Sequence, residues 1–87
     1  MDINYELYKV FYYVASTLSF SEASKQLFIS QSAVSQSIKA LEKKLDQTLF
    51  IRSTKKVRLT TEGEILLRHI EPAISLIKRG ESQLLDV

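Results

Sequence analysis

The most regular alternation of hydrophobic and polar positions lies in residues 30–45. Large apolar side chains recur there at intervals of four, three and four residues: Val34, Ile38, Leu41 and Leu45. This spacing predicts a helix with one buried face. The opposite face carries amides and hydroxyls first and lysines later, namely Gln31, Ser32, Ser35, Gln36, Lys39 and Lys43. Short hydrogen-bonding side chains at a helix N-terminus, followed by basic residues, suit a helix that enters a DNA groove end-on.

Two shorter helices are predicted before this one. Apolar and aromatic residues between 4 and 18 recur at helical spacing and predict an amphipathic helix, whose aromatic face packs in the core or against a second copy. A second helix is predicted over about 20–27, because Ser19 and Glu22 have the spacing of a capping box. Residues 28–30 leave room only for a turn that ends in a capping serine. A helix, a tight turn and a longer helix together indicate a helix-turn-helix.

The chain changes character after residue 48. Two short β-prone segments, 49–52 and 56–59, flank a polar turn and predict a small hairpin, the wing of a winged helix. Basic residues are concentrated in this hairpin, at Arg52, Lys55, Lys56 and Arg58. The net charge is only +2, so this local cluster indicates a phosphate-bearing partner better than the total charge does. The alternative is a surface loop whose charges only favour solubility.

A long last helix is predicted from residue 61. Its large apolar residues follow nearly a heptad rhythm, which favours pairing with another helix, through Leu67, Ile70, Ile74, Ile77 and Leu84. Pro72 removes a backbone donor and predicts a bend, and Gly80 predicts fraying beyond about residue 80. We therefore expect a DNA-binding unit at 1–60 and a dimerisation helix at 61–87.

Composition restricts the other classes of function. A chain of 87 residues that is 45% hydrophobic forms one small globular domain. No apolar stretch approaches the ~20 residues that span a bilayer, and the N-terminus has no signal-peptide pattern, so we expect a cytoplasmic protein. With no cysteine and one histidine we expect no metal site, and no glycine-rich phosphate loop indicates a cofactor.

Several short motifs occur together along the chain. They are Ser19-Phe20-Ser21-Glu22-Ala23, Ile29-Ser30-Gln31-Ser32-Ala33-Val34-Ser35, Leu41-Glu42, Leu49-Phe50 with Arg52, and Leu59-Thr60 with Gly63. In this order and spacing they resemble the N-terminal domain of LysR-type transcriptional regulators. The resemblance implies a mainly α fold: a winged helix-turn-helix with a two-stranded wing and a long C-terminal linker helix that pairs two subunits.

The resemblance also implies partners. It implies sequence-specific binding of double-stranded DNA by a homodimer at an inverted repeat, with helix 31–45 in the major groove and wing 52–58 on phosphate or in the minor groove. The homodimer would form through the first and linker helices, which leaves open a tetramer of the full-length protein. A small-molecule effector would bind only through a C-terminal domain, so we expect a fragment of a longer bacterial, nucleoid-associated regulator. A natural stand-alone protein is the alternative.

The candidate DNA contacts form two groups. Gln31, Ser32, Ser35 and Gln36 are the candidates for base edges, since Gln pairs with adenine and Ser with several bases. For each of them the alternative is contact with phosphate or water alone. The candidates for phosphate contact are Ser21, Lys39, Arg52, Lys55 and Lys56. Two alternatives remain open here: Ser21 only caps its helix, and Arg52 pairs with an acidic side chain of the domain.

Four positions depart from the pattern of the family. Leu18 and Asp46 replace glycines, Ser24 replaces an alanine, and Ser32 replaces a proline. The chain must therefore bend at Leu18 without a positive φ, or at the cost of strain. Asp tolerates the left-handed conformation better than most residues, so position 46 is less affected.

The sequence disfavours two functions other than DNA binding. Catalysis is disfavoured because no carboxylate is paired with the histidine or with a second carboxylate in a motif, so no catalytic residue is assigned. A winged helix can also serve protein–protein association alone. The uncharged polar face of helix 31–45 and the basic hairpin argue against that alternative.

Overall fold

The computed structural model describes residues 2–86 as four helices and one two-stranded sheet. The elements in chain order are α1 Tyr5–Thr17, α2 Phe20–Leu27, α3 Gln31–Leu45, β1 Phe50–Arg52, β2 Val57–Leu59 and α4 Thr61–Leu85. The strands are antiparallel, with Phe50 opposite Leu59. This order confirms the predicted mainly α winged helix-turn-helix with a long C-terminal helix.

Each helix begins at a side chain that accepts a hydrogen bond from a free backbone N–H. The four N-caps are Asn4, Ser19, Ser30 and Thr60, and each contributes about 1 kcal/mol. Only half of the predicted capping box forms at α2. The Ser19 hydroxyl accepts from the N–H of Glu22 at 3.0 Å, but the N–H of Ser19 donates to the hydroxyl of Thr17 at 3.3 Å.

The core lies where α1, α2, α3 and β1 meet. The predicted apolar face of α3 is buried at Val34, Ile38 and Leu41, whereas Leu45 at its end is half-buried. Aromatic rings join the elements, since Phe50 of β1 lies 5.4 Å from Phe11 and 6.1 Å from Phe20 between ring centroids. These contacts hold the wing against the three-helix body.

Three helices end at a residue in the left-handed region, and none of the three is glycine. Leu18, Phe28 and Asp46 have φ of 51°, 58° and 54°. Leu18 therefore bends the chain with a positive φ, at the cost of strain. Asp46 adopts the left-handed conformation that was expected at its position. The left-handed conformation of Phe28 was not predicted. A non-glycine residue pays roughly 1 kcal/mol for this conformation.

The helix α4 is continuous from Thr61 to Leu85, with Pro72 inside it. The predicted fraying beyond residue 80 is wrong. Gly80 lowers helix stability by only about 1 kcal/mol, which is too little to end a 25-residue helix. Among residues 2–86, no helix is both long and apolar enough to cross a membrane.

The start of α4 is fixed against the wing. The N–H of Thr60 donates to the carbonyl of Leu49 at 3.0 Å, and its hydroxyl donates to the carbonyl of Thr48 at 2.6 Å. Gly63 lies one turn later, where a Cβ would collide with the carbonyl oxygen of Leu49 and lie 2.8 Å from Cδ2 of Leu59. Only glycine allows this close approach.

Candidate nucleic-acid interface

One surface cleft gathers the candidate residues of three elements. It has a volume of about 340 Å³ and lies between the start of α2, the start of α3 and the wing. Five of the nine candidates line it: Ser21, Gln31, Arg52, Lys55 and Lys56. Three of these five are basic, so the cleft combines positive charge with uncharged hydrogen-bonding groups. We call it the interface cleft.

The other four candidates lie further along α3. Ser35 and Lys39 line a neighbouring cavity of about 60 Å³, together with Arg52. Ser32 and Gln36 are exposed on α3 and line neither cavity. The structure thus brings seven of the nine residues into two adjoining sites and leaves two on the open surface beside them.

Arg52 joins these two sites. Its guanidinium carbon lies 3.8 Å from the centroid of the Phe20 ring, and Nη1 donates to Oγ of Ser35 at 3.3 Å. Cation–π stacking of this kind is worth about 0.5–1 kcal/mol at exposed sites. Arg52 therefore contacts the ring of Phe20 and the hydroxyl of Ser35. The alternative from the sequence was an ion pair with an acidic side chain of the domain. Stacking leaves the other N–H groups of the guanidinium available to a phosphate.

The same contact limits the hydrogen bonds that the Ser35 hydroxyl can still make. Its hydroxyl is half-buried and accepts from Arg52, while its own O–H remains a donor. In this arrangement Ser35 still offers one hydrogen-bond donor. No local pattern predicts this pairing, because the two residues are 17 positions apart.

Ser21 is not the cap of α2. Ser19 accepts the capping hydrogen bond, and Ser21 lies exposed in the first turn. The alternative that Ser21 only caps its helix is therefore wrong. Its position at a helix N-terminus, where partial positive charge accumulates, suits a phosphate oxygen.

Two structural residues of the site were missed by the sequence analysis. Ser53 closes the wing turn: its N–H donates to the carbonyl of Lys56 at 2.9 Å, and its hydroxyl accepts from the N–H of Lys56 at 3.1 Å. Serine at the first position of a turn without glycine was the available signal. This turn holds the exposed Lys55 and Lys56 at the tip of the wing.

Glu42 is the second missed residue. Its half-buried Oε2 accepts from the N–H of Leu49 at 2.7 Å and from that of Phe50 at 3.3 Å. Because a carboxylate binds two amides at the start of β1, α3 and the wing are joined by charge-assisted hydrogen bonds. The Leu41-Glu42 and Leu49-Phe50 motifs are thus in direct contact.

Comparison with known proteins gives the family. The model described as bacterial regulatory helix-turn-helix protein, lysR family, matches residues 5–64. The HTH-type transcriptional regulator PerR of Escherichia coli K12 is 42% identical over 74 residues, which cover 85% of this chain and 25% of PerR. The uncharacterized HTH-type transcriptional regulator MJ0300 of Methanocaldococcus jannaschii is 40% identical over 81 residues, 93% of this chain and 27% of that protein. The chain spans about a quarter of the length of these curated relatives.

Solved structures agree with this result. The BenM_DBD complex with catB site 1 DNA has a TM-score of 0.86 at 25% identity, over 97% of this chain and 93% of that one. The CbnR_DBD–DNA complex has a TM-score of 0.82 at 26% identity, over 97% of both chains. The H2O2-bound C206S mutant of Corynebacterium glutamicum OxyR has a TM-score of 0.89 at 31% identity, over 97% of this chain and 27% of that one. The chain belongs to the LysR family of bacterial regulatory helix-turn-helix proteins.

Proposed function

We propose that this chain binds double-stranded DNA of defined sequence, as the DNA-binding domain of a LysR-type transcriptional regulator. The observation that carries the proposal is the interface cleft, in which α2, α3 and the wing present three basic residues beside Gln31. The relatives BenM_DBD and CbnR_DBD, which share the fold, have been solved with DNA. The proposed action is binding without catalysis.

The helix α3 would enter the major groove by its N-terminal end. A groove about 12 Å wide admits a helix, and the first two turns of α3 carry the four candidates for base contact, Gln31, Ser32, Ser35 and Gln36. Lys39 lies one turn later on an exposed face and would meet phosphate. Ser21 and the basic wing residues Arg52, Lys55 and Lys56 would contact the backbone on either side, which fixes the register of α3.

We also propose that two copies pair through α1 and α4. Residues 61–87 would form the linker helix, and its apolar side chains support this: Ile65, Leu76, Ile77, Leu84 and Leu85 are exposed. The first half of α4 packs on the core through Leu66, Leu67 and Ile70, so the unit formed by 1–60 carries this helix rigidly. For the whole regulator we further propose effector binding, assembly beyond a dimer and a location in the bacterial cytoplasm.

The test is selection of duplexes from a random library with the 87-residue chain, followed by binding to a selected and a scrambled duplex over a range of salt. We expect the selected duplex to bind at least about 10³-fold more tightly near physiological salt. The logarithm of affinity should fall linearly with the logarithm of salt concentration. Equal affinity for both duplexes would contradict sequence-specific binding. Absence of binding at low salt would support the association-only alternative.

A further inference from the structure

Phe28 is the most exposed large apolar side chain among residues 2–86. Its side chain is 94% exposed in the turn between α2 and α3. The residue also has a φ of 58°, in the left-handed region that favours glycine. Phe28 therefore contributes almost no burial to the fold, and its backbone conformation is unfavourable.

The backbone of the turn does not require a ring at this position. The N–H of Phe28 donates to the carbonyl of Lys25 at 3.3 Å, and the N–H of Ile29 donates to the carbonyl of Ser24 at 3.2 Å. This is the Schellman arrangement, which glycine or asparagine forms with less strain. A strained residue whose side chain has no role in packing is a candidate for a role in binding.

The position of Phe28 next to the N-terminus of α3 indicates DNA as the partner of its side chain. Phe28 lies two residues before the N-cap of α3 and three before Gln31. Three virtual bonds of 3.8 Å keep its Cα within roughly 11 Å of that of Gln31. Phe28 therefore lies close to the end of α3 that would enter the groove in the proposed complex. The apolar surfaces of DNA there are the thymine methyl group and the deoxyribose.

We propose that Phe28 is a further DNA contact, whose ring packs on an apolar surface of the duplex next to the base edge that Gln31 contacts. This inference rests on the proposed function. The contact extends the interface continuously from α3 into the preceding turn. It adds apolar area without charge, so it raises affinity without adding to the salt dependence.

The first test compares Phe28→Ala with Phe28→Tyr on the selected duplex. Alanine keeps the left-handed strain and removes the ring, whereas tyrosine keeps the ring. We expect Phe28→Ala to lose about fivefold in affinity, from roughly 40 Å² of buried ring, with an unchanged salt slope. Phe28→Tyr should bind within about twofold of the wild type, on the same area argument. Equal affinity of Phe28→Ala and wild type would overturn the proposal.

A second duplex, with deoxyuridine in place of thymidine, distinguishes the two apolar surfaces. If the ring contacts a thymine methyl, the wild type loses affinity for this duplex and Phe28→Ala loses less. If it contacts deoxyribose, the substitution affects both proteins equally while the difference between them persists. Both results support a DNA contact. A loss of affinity in Phe28→Ala that is matched by a loss of self-association would assign the ring to a contact between copies and overturn the proposal.

A third measurement separates binding from folding. Phe28→Asn should raise the Tm by roughly 2–6 °C, because asparagine tolerates the left-handed region, and should lower the affinity for DNA. The matched control is Asp46→Gly, which relieves the same conformation at the far end of α3, about 22 Å away along the helix. Asp46→Gly should raise the Tm without lowering the affinity for DNA.

Two outcomes would count against these expectations. A fall in the Tm of Phe28→Asn would show that the ring stabilises the fold and would contradict the proposal. If the wild type binds no duplex, it is the proposed function that fails.

Discussion

Arg52 illustrates how a single side chain acts on two others in this domain. By stacking on Phe20 and donating to Ser35, it occupies a fixed position between α2, α3 and β1. A flexible arginine loses rotamer entropy when it binds a phosphate, whereas a stacked one has lost part of it already. The proposed phosphate contact is therefore preorganised.

Replacement of Arg52 by lysine tests this preorganisation. Lysine keeps the charge but has no planar fork to stack on Phe20 while it donates to Ser35. We expect Arg52→Lys to lose affinity by about 1 kcal/mol or more at constant salt, with little change in the salt slope. Lys56→Arg is a control of the same charge at the wing tip. Equal affinities of Arg52→Lys and wild type would show that the fixed geometry has no effect.

Replacement of Gln31 and of Lys55 by alanine should reduce DNA binding in different ways. Gln31→Ala should lower discrimination at one base pair by about 1–3 kcal/mol, because an amide pairs with a base edge. Lys55→Ala should weaken all duplexes similarly and reduce the salt slope by about 1, because it would remove one proposed phosphate contact. Binding of both variants to a panel of single-base substitutions at several salt concentrations separates the two effects. A uniform loss for Gln31→Ala would place it on phosphate or water.

At the scale of elements, the end of α1 holds a strained residue. Leu18 has a φ of 51° at the position where glycine would be expected. Leu18→Gly should raise the free energy of unfolding by about 0.5–1 kcal/mol, the relief of strain less the greater entropy of the unfolded chain. Leu18→Val should lower it, because a β-branched residue is more strained at positive φ. Urea denaturation measures both, and a Leu18→Gly variant less stable than the wild type would show that the leucine packs usefully.

The two glycines of α4 form a matched pair. At Gly63 an added Cβ meets the carbonyl of Leu49, whereas at Gly80 it meets nothing within 4 Å. Gly63→Ala should therefore destabilise the domain by roughly 1–3 kcal/mol, through overpacking that shifts α4 away from the wing. Gly80→Ala should stabilise it by about 1 kcal/mol through helix propensity. Thermal unfolding measures both, and equal Tm values would contradict the close approach at Gly63.

The sequence predicted the elements better than the contacts between them. The periodicity of Val34, Ile38 and Leu41 gave α3 and its buried face, because local spacing determines which side chains share a helix face. The contact of Arg52 with Ser35 and the bond of Glu42 to β1 depend on tertiary geometry, which spacing does not encode. The helix continued past Gly80 because a penalty of about 1 kcal/mol is small against the cooperativity of a long helix.

At the scale of the whole molecule, the far end of α4 predicts self-association. Leu76 and Ile77 are 61% and 43% exposed on the second half of α4. Ile77→Glu should shift the chain from dimer to monomer and weaken binding to a two-half-site duplex more than to a single half-site, because paired binding is lost. Ser82→Glu adds the same charge on another face of the helix and serves as control. Sedimentation at several concentrations gives the outcome, and a wild type that is monomeric throughout would contradict the proposed dimer.

The Glu42 carboxylate has a consequence for how a pair of such domains would fit DNA. Because it fastens α3 to the first strand, a tilt of the helix in the proposed complex would move the wing with it. Each copy would then present α3 and the wing to the duplex as one unit, and neither element could follow a bent site alone. In the proposed dimer, adaptation to operators of different curvature would therefore come from the angle between the two copies or from the DNA itself.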